Sequence, residues 1–432
     1  MKKYKEMTKE ELKKEYDSLN RRYRDVCKSG IHLDMSRGKP SIEQLDLSRG
    51  LLDTLYADAD LNAEDGMDVR NYGGLLGIPE ARRLMGDIMG GVPVEKVIAC
   101  GNASLNIMYD CVSRAYSHGI MGNTPWHELK EVKFLCPVPG YDRHFKITEY
   151  FGIEMINIPM LEDGPDMDKV REYVEKDPDV KGIWCVPKYS NPEGTVYSDD
   201  VVRQFAALEP AAPDFRIFWD NAYCVHHLYE DSALQAEIPD IIAECEKAGH
   251  PDMVYEFCST SKISFAGSGL AAIATSVANI EDIRKGFSVQ TIGYDKVNQL
   301  RHVHYFKDIE GVKKKMMEHA SILRPKFESV ENALEEGLAG LDIGTWTKPK
   351  GGYFISFYSM DGCAKEIVRK CAVAGVKLTG AGATYPYGKD PRDRNIRIAP
   401  SFPTTDELKQ ATELFVLCVK LVSLEKTLES LG

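Results

Sequence analysis

The stretch Phe257-Cys258-Ser259-Thr260-Ser261-Lys262-Ile263-Ser264-Phe265-Ala266-Gly267 lies between two short apolar runs, Met253–Ser259 and Leu270–Thr275. Each run is strand-length and rich in β-branched, aromatic or small residues, so the stretch reads as a strand, a hydroxyl-rich turn and a second strand. Upstream the same text recurs. Val97–Cys100, Val132–Pro137, Ile153–Ile158, Gly182–Pro187 and Arg216–Trp219 are further strand-length runs. Helical stretches such as Ser104–Ser117, Met167–Glu175 and Asp199–Leu208 separate them. Strands alternating with helices predict an α/β unit with a mostly parallel sheet, whose loops at the carboxyl ends of the strands build any site.

Further out the pattern changes. Thr8 with Glu11 predicts a capping box on a helix whose face is Leu12, Tyr16, Leu19, Tyr23 and Val26, with Gly30 to close it. Leu33 to Pro40 reads as a loop. A long helix is expected from Val312 to about Gly337, bridging to a second unit with strands at Gly352–Phe357, Val376–Leu378 and Asn395–Ile398. A final helix follows, with Thr405 as its cap. The chain has 432 residues, more than one core usually covers.

Hydrophobic residues make up 43% and charged residues 28%, the balance of a globular enzyme. A net charge of -12 argues against nucleic-acid or anionic-membrane partners, since either would repel an acidic surface. The 11 cysteines include no C-x-x-C pair, which fits a reduced, cytoplasmic setting. The charged N-terminus does not read as a secretory signal, and no apolar run is long enough to span a bilayer. His226-His227 and His302/His304 lack the Cys or carboxylate spacing of a metal site, and no metal is expected.

Five segments can carry chemistry. Lys262 follows a strand end in apolar surroundings, where a lysine pKa falls and the amine becomes nucleophilic. Asp220 ends the apolar run Ile217-Phe218-Trp219, a costly place for a carboxylate unless a buried cation meets it, and Tyr223 stands three residues on. Asn191-Pro192-Glu193-Gly194 is turn chemistry that would hold the Asn191 amide over a site. Cys100-Gly101-Asn102-Ala103-Ser104-Leu105 opens a helix whose N–H groups could take a phosphate. Arg397, alone on the short apolar strand Asn395–Ile398, suits bidentate capture of a carboxylate. Singly, each also has a plain structural explanation: a solvated loop lysine, a helix-capping aspartate, a turn, a helix start, an arginine in a structural ion pair. In this order and these contexts they point to one site.

Together with Arg70-Asn71-Tyr72-Gly73, the set resembles fold type I enzymes dependent on pyridoxal 5'-phosphate (PLP), specifically class I/II aminotransferases, over nearly the whole chain. Ser36-Arg37-Gly38-Lys39-Pro40, Gly101–Asn106 and Asp295–His302 look like the MocR-like, or type Ic aspartate aminotransferase, subgroup. The resemblance implies a large domain, residues 51–322, with a mostly parallel seven-stranded sheet flanked by helices. It also implies a smaller α+β domain made from residues 1–50 and 323–432. Lys262 would form the aldimine with PLP and move a proton between substrate and cofactor. Asp220 would pair with the pyridinium nitrogen; Asn191 and Tyr223 would hold the phenolic oxygen; Tyr141 would stack on the ring. Asn102, Ala103, Ser104, Ser259 and Ser261 would hold the phosphate, with Tyr72 reaching it from the other subunit of a homodimer with shared sites. Arg397, the Gly38 backbone and Asn191 would clamp the substrate α-carboxylate.

Relatives often carry an arginine shortly after the lysine, but Phe265–Leu270 contains none. The phosphate then needs neutral donors or another cation, for which Lys296 and Arg301 are candidates. The implied reaction moves an amino group between aspartate or glutamate and a 2-oxo acid such as 2-oxoglutarate, with Arg37, Arg301 and His302 available for the acidic side chain. A PLP-dependent lyase or decarboxylase is the alternative on this scaffold. A ligand-sensing domain is a further one, although the first 65 residues are too few for a winged-helix module.

Overall fold

The computed structural model describes residues 2–28 and 30–431. Thirteen strands occur among them: β1 (Leu33–Asp34), β2 (Val97–Ala99), β3 (Lys133–Val138), β4 (Glu154–Leu161), β5 (Gly164–Pro165), β6 (Val180–Cys185), β7 (Arg216–Asp220), β8 (Val254–Ser259), β9 (Ala271–Ala274), β10 (Gly344–Trp346), β11 (Ile355–Ser359), β12 (Val376–Lys377) and β13 (Asn395–Ile398). The main sheet runs β2-β9-β8-β7-β6-β3-β4-β5. All seven strands expected from the sequence are in it, and the two-residue β5 adds an eighth at one edge, antiparallel to β4. A strand that short leaves no periodic signal.

Pairs β8-β7, β7-β6, β6-β3 and β3-β4 are parallel, while β9 is antiparallel to both β8 and β2. The carboxyl ends of β2, β3, β6, β7 and β8 therefore share one edge, the edge where open α/β sheets bind ligands. Every residue of β7 is buried. Such strands, covered on both faces, read as continuous rather than alternating apolar runs. Along β7 the faces still alternate: Ile217 and Trp219 join one core, Phe218 the other. The Phe218 side is aromatic, with Trp184 at 4.7 Å and Phe134 at 5.4 Å between ring centroids. Pairs of this kind add about 0.5–1.5 kcal/mol each beyond area burial.

A third core joins the first helix (Lys9–Cys27), the long helix (Ile309–Leu338), the final helix (Thr405–Ser430) and the β10-β11-β13 sheet. The expected Thr8–Glu11 capping box is formed. The first helix stops at Cys27, and Gly30 takes φ +70° just beyond. The loop expected at 33–40 begins as a strand, since β1 pairs in parallel with β12 (Leu33 with Val376, Asp34 with Lys377) and ties the N-terminal segment to the C-terminal one. The cap of the final helix is Thr404 rather than Thr405. The Thr404 hydroxyl accepts from the Glu407 N–H and the Glu407 carboxylate accepts from the Thr404 N–H, a spacing that Thr405 cannot offer to Glu407. Strand β10 was not legible, because Gly344-Thr345-Trp346 is short and only partly buried. Among the described residues, no helix is long and apolar enough to cross a membrane.

Candidate active site

At the carboxyl edge of the sheet lies a cavity of about 580 Å³. Lys262, Asp220, Tyr223, Asn191, Tyr141, Arg397, Gly38 and Arg37 line it, with Ala103, Ser104, Ser259 and Ser261. Each strand end delivers one part. Asp220 is the last residue of β7, Lys262 stands three residues past β8, Asn191 is on the loop after β6, and Tyr141 follows β3.

The Lys262 side chain lines the cavity, with its Nζ 5.0 Å from the Tyr223 ring centroid and 5.7 Å from that of Tyr353. Burial holds its pKa below the ordinary lysine value, and the negative charge of Asp220 opposes the shift without cancelling it. Asp220 is 3% exposed. The His144 Nε2 lies 2.9 Å from its Oδ2, and His144 itself stacks on Trp184 at 4.6 Å with an 11° tilt. Asp220 Oδ1 is buried with no hydrogen-bond partner. A carboxylate oxygen enclosed in that way calls for a cationic N–H from whatever fills the cavity.

A second group of donors suits a phosphate. The helix Ser104–His118 begins at Ala103 without any side-chain cap, which leaves its first N–H groups, at Ser104 and Leu105, for another acceptor. Beside it the Ser259 hydroxyl donates to Ser261 Oγ at 3.1 Å, and Ser261 donates to the Asn102 carbonyl at 3.3 Å. Asn102 contributes that carbonyl from the rim and does not itself line the cavity. The chemistry of this donor set, an amine, a partnerless carboxylate oxygen and an uncapped helix start with two hydroxyls, fits the aldehyde, ring nitrogen and phosphate of PLP.

Arg397 forms the opposite wall. Its guanidinium donates to Asp142 Oδ1 at 2.8 Å and Asn191 Oδ1 at 3.2 Å, with Thr379 Oγ1 at 3.4 Å. It rests on the Phe354 ring at 4.8 Å. The structural ion pair and the open site, which the sequence posed as alternatives, are both present. Gly38 packs against the same ring, and a Cβ there would lie 2.4 Å from Phe354 Cζ.

Several expectations land elsewhere. Lys296 donates to the Gly73 carbonyl at 2.9 Å and lines a different hollow, and Arg301 does not line the cavity. Neither brings a cation to this chain's own cavity. His302 is not available to a substrate side chain: it is fully buried, 2.9 Å from Ser264 Oγ and 2.8 Å from the Asn298 carbonyl, where it braces the Lys262 turn from behind. Tyr72 is 80% exposed and lies outside this chain's own cavity, in the hollow with Lys296. His227 hydrogen-bonds the Tyr189 hydroxyl at 2.7 Å, and among the described residues no three His, Cys, Asp or Glu side chains gather as metal ligands do.

Sequence reading missed His144, Asp142, Arg143, Thr379 and Phe354. The first three follow Tyr141 directly in Tyr141-Asp142-Arg143-His144, and the signal available was a charged cluster opening a helix after a strand. Nothing local says that His144 turns in to Asp220 while Asp142 meets Arg397.

Residues 7–430 match the family model described as aspartate amino-transferase. An aspartate aminotransferase of Corynebacterium glutamicum is 46% identical over 414 residues, 95% of this chain and 94% of that protein. The crystal structure of an aspartate transaminase from the same organism superposes with a TM-score of 0.95 at 45% identity, covering 98% of this chain and 99% of the other. The fold is also that of LysN, an alpha-aminoadipate aminotransferase from Thermus thermophilus solved with N-(5'-phosphopyridoxyl)-L-leucine, at TM-score 0.70, 18% identity and 95% of each chain.

Proposed function

The chain belongs to the aspartate amino-transferase family, and from that premise we propose that it moves the amino group of aspartate or glutamate to a 2-oxo acid such as 2-oxoglutarate, with PLP bound covalently through Lys262. Membership makes it a PLP-dependent aminotransferase. The observation that carries the finer reading is the shared cavity of Lys262 and Asp220, with one carboxylate oxygen still to be met.

When bound, PLP supplies a protonated ring that draws electrons from the bond broken at the substrate Cα. The chain's residues do the rest. Lys262 Nζ, its pKa lowered by burial, gives up its proton more readily than a surface lysine; it would bond a carbonyl carbon, whose oxygen leaves as water, and later carry the Cα proton. Asp220 Oδ1 holds a ring N–H, and His144 fixes the carboxylate from its other oxygen. The Asn191 amide and Tyr223 hydroxyl hold the phenolic oxygen. Ala103, Ser104, Ser259 and Ser261 hold the phosphate with neutral donors, and the Asn102 carbonyl fixes Ser261. Tyr72, exposed on one subunit of a homodimer, serves the cavity of the other. Arg397, the Gly38 backbone and Asn191 take the α-carboxylate, and Asp142 keeps the guanidinium aimed. Arg37 at the rim is the cation for an acidic side chain.

The test is an assay of purified protein with aspartate and 2-oxoglutarate. Glutamate is expected to form, with turnover stopping when the acceptor is left out. Sustained release of ammonia or carbon dioxide without an acceptor would instead make the protein a lyase.

A further inference from the structure

The wall that carries Asp220 and Asn191 has a second cavity behind it, about 810 Å³ in volume. It belongs to the other face of the sheet. Its lining includes Cys224 and Met316, members of the core that holds Ile217 and Trp219, whereas the His144 partner of Asp220 stacks on Trp184 in the opposite core. Two of its lining residues sit on the segments that build the active site. Lys188 is three residues before Asn191, and Asn221 follows Asp220 directly.

Both side chains are buried, Asn221 with an unpartnered oxygen and Lys188 with only a long ion pair. Lys188 is 4% exposed, and its ammonium has only a distant acidic neighbour. The carboxylate beside it, Glu237 Oε2, is 3.9 Å away on a side chain that is 84% exposed. An ion pair that long, with one member in solvent, returns little of what burying the ammonium costs. Asn221 is 5% exposed, and its Nδ2 donates to Glu256 Oε1 at 2.8 Å. That leaves its Oδ1 without a donor. Lys313 and Lys314, from the long helix, add positive charge to the lining, and Asp87, Glu230 and Glu237 balance it elsewhere, which leaves Lys188 as the buried cation.

We propose that this rear cavity is a binding site for a small acid, carboxylate or phosphate, that places its anionic oxygens on Lys188 and an O–H or N–H on Asn221. An anion reaching Lys188 gives a buried ammonium the charge-assisted hydrogen bonds that Glu237 does not supply. The donor requirement comes from Asn221 Oδ1, which can only accept. Burial holds the Lys188 pKa below the ordinary value, as expected of an ammonium short of partners. The inference does not depend on which amino acid the enzyme uses. A ligand here would touch the backbone segments that position Asn191 and Asp220, which makes the site a lever on the reaction rather than part of it.

The experiment is calorimetric titration of the cofactor-loaded enzyme, with inorganic phosphate in one arm and L-lactate in the other. Lactate has a carboxylate and a hydroxyl but no amino group to transfer. Binding in at least one arm is expected to weaken by about tenfold or more in Lys188→Met and to survive in Lys188→Arg, which keeps the charge and the donors. Binding to phosphate alone assigns a phosphate ligand, and binding to lactate alone a carboxylate. Lactate held at Arg397 would be unchanged by Lys188→Met.

A second measurement needs no variant. Acetylation of Lys188 in the wild-type protein, followed by peptide mass spectrometry, is expected to slow when the bound acid is present, while the exposed Lys13 reacts as before. No binding in either arm, or binding and labelling indifferent to Lys188, overturns the proposal.

Discussion

The His144 ring grips one oxygen of the Asp220 carboxylate, Nε2 to Oδ2 at 2.9 Å, and leaves the other oxygen facing no protein donor. Trp184, stacked flat on the imidazole, keeps the ring from turning away. The carboxylate is thereby oriented before anything binds. Preorganisation of this kind matters because a buried charge that must reorient during reaction loses much of its effect.

His144→Leu keeps the packing volume and removes the donor. Losing one partner of a buried hydrogen bond costs about 1–3 kcal/mol, so kcat is expected to fall on the order of tenfold to hundredfold. The KM for the amino acid should change little, since Arg397 is untouched. A shift in the absorption band of the bound cofactor would report the altered ring environment. An unchanged spectrum with unchanged kcat would mean that His144 merely fills space.

Arg397→Lys retains charge but not the fork. Its partners Asp142 and Asn191 accept from Nη1 and Thr379 from Nη2, which leaves Nε and the second N–H of Nη2 for a carboxylate. A point charge cannot reproduce that geometry, and KM for the amino donor is expected to rise by about tenfold or more. Steady-state kinetics with aspartate and glutamate decide it.

Gly38→Ala tests the wall beneath the arginine. The new Cβ would lie 2.4 Å from Phe354 Cζ, and Phe354 is only 6% exposed, so the ring must move into packed surroundings. Overpacking of this sort costs about 1–3 kcal/mol. Because Arg397 rests on that ring, the variant should raise KM as well as lower the melting temperature.

Glu256 gives the chain a pH signature. Burial pushes its carboxyl up to about 8, against the opposing hydrogen bond from Asn221. In the unfolded chain the group ionises near the ordinary value of about 4.3. Its contribution to stability is then full below that value and is lost as pH rises through about 8. Glu256→Gln removes the titration. Its melting temperature is expected to gain on the wild type between pH 5 and pH 9, by an amount on the order of 4 kcal/mol in stability.

Much of this was legible in the sequence for identifiable reasons. Strands buried on both faces, such as β7, show as unbroken apolar runs, and an aspartate ending one of them is conspicuous. Lys262 was legible because a lysine follows a strand end among hydroxyls. His144 was not, since its role depends on a helix after β3 lying over the end of β7. Lys296 and Arg301 stand outside this chain's cavity for the same reason: a cation nearby in sequence says nothing about which hollow its side chain enters. The caps were half legible, with Thr8 found and Thr404 displaced by one in a Thr-Thr pair.

The central claim is that Lys262 carries the cofactor opposite Asp220. Reduction of the PLP-loaded protein with borohydride, followed by peptide mapping, tests it most directly. The expected result is one pyridoxyl-modified peptide, bearing the label on Lys262. A label on Lys188 or on any other lysine, or none at all on an active preparation, would contradict it.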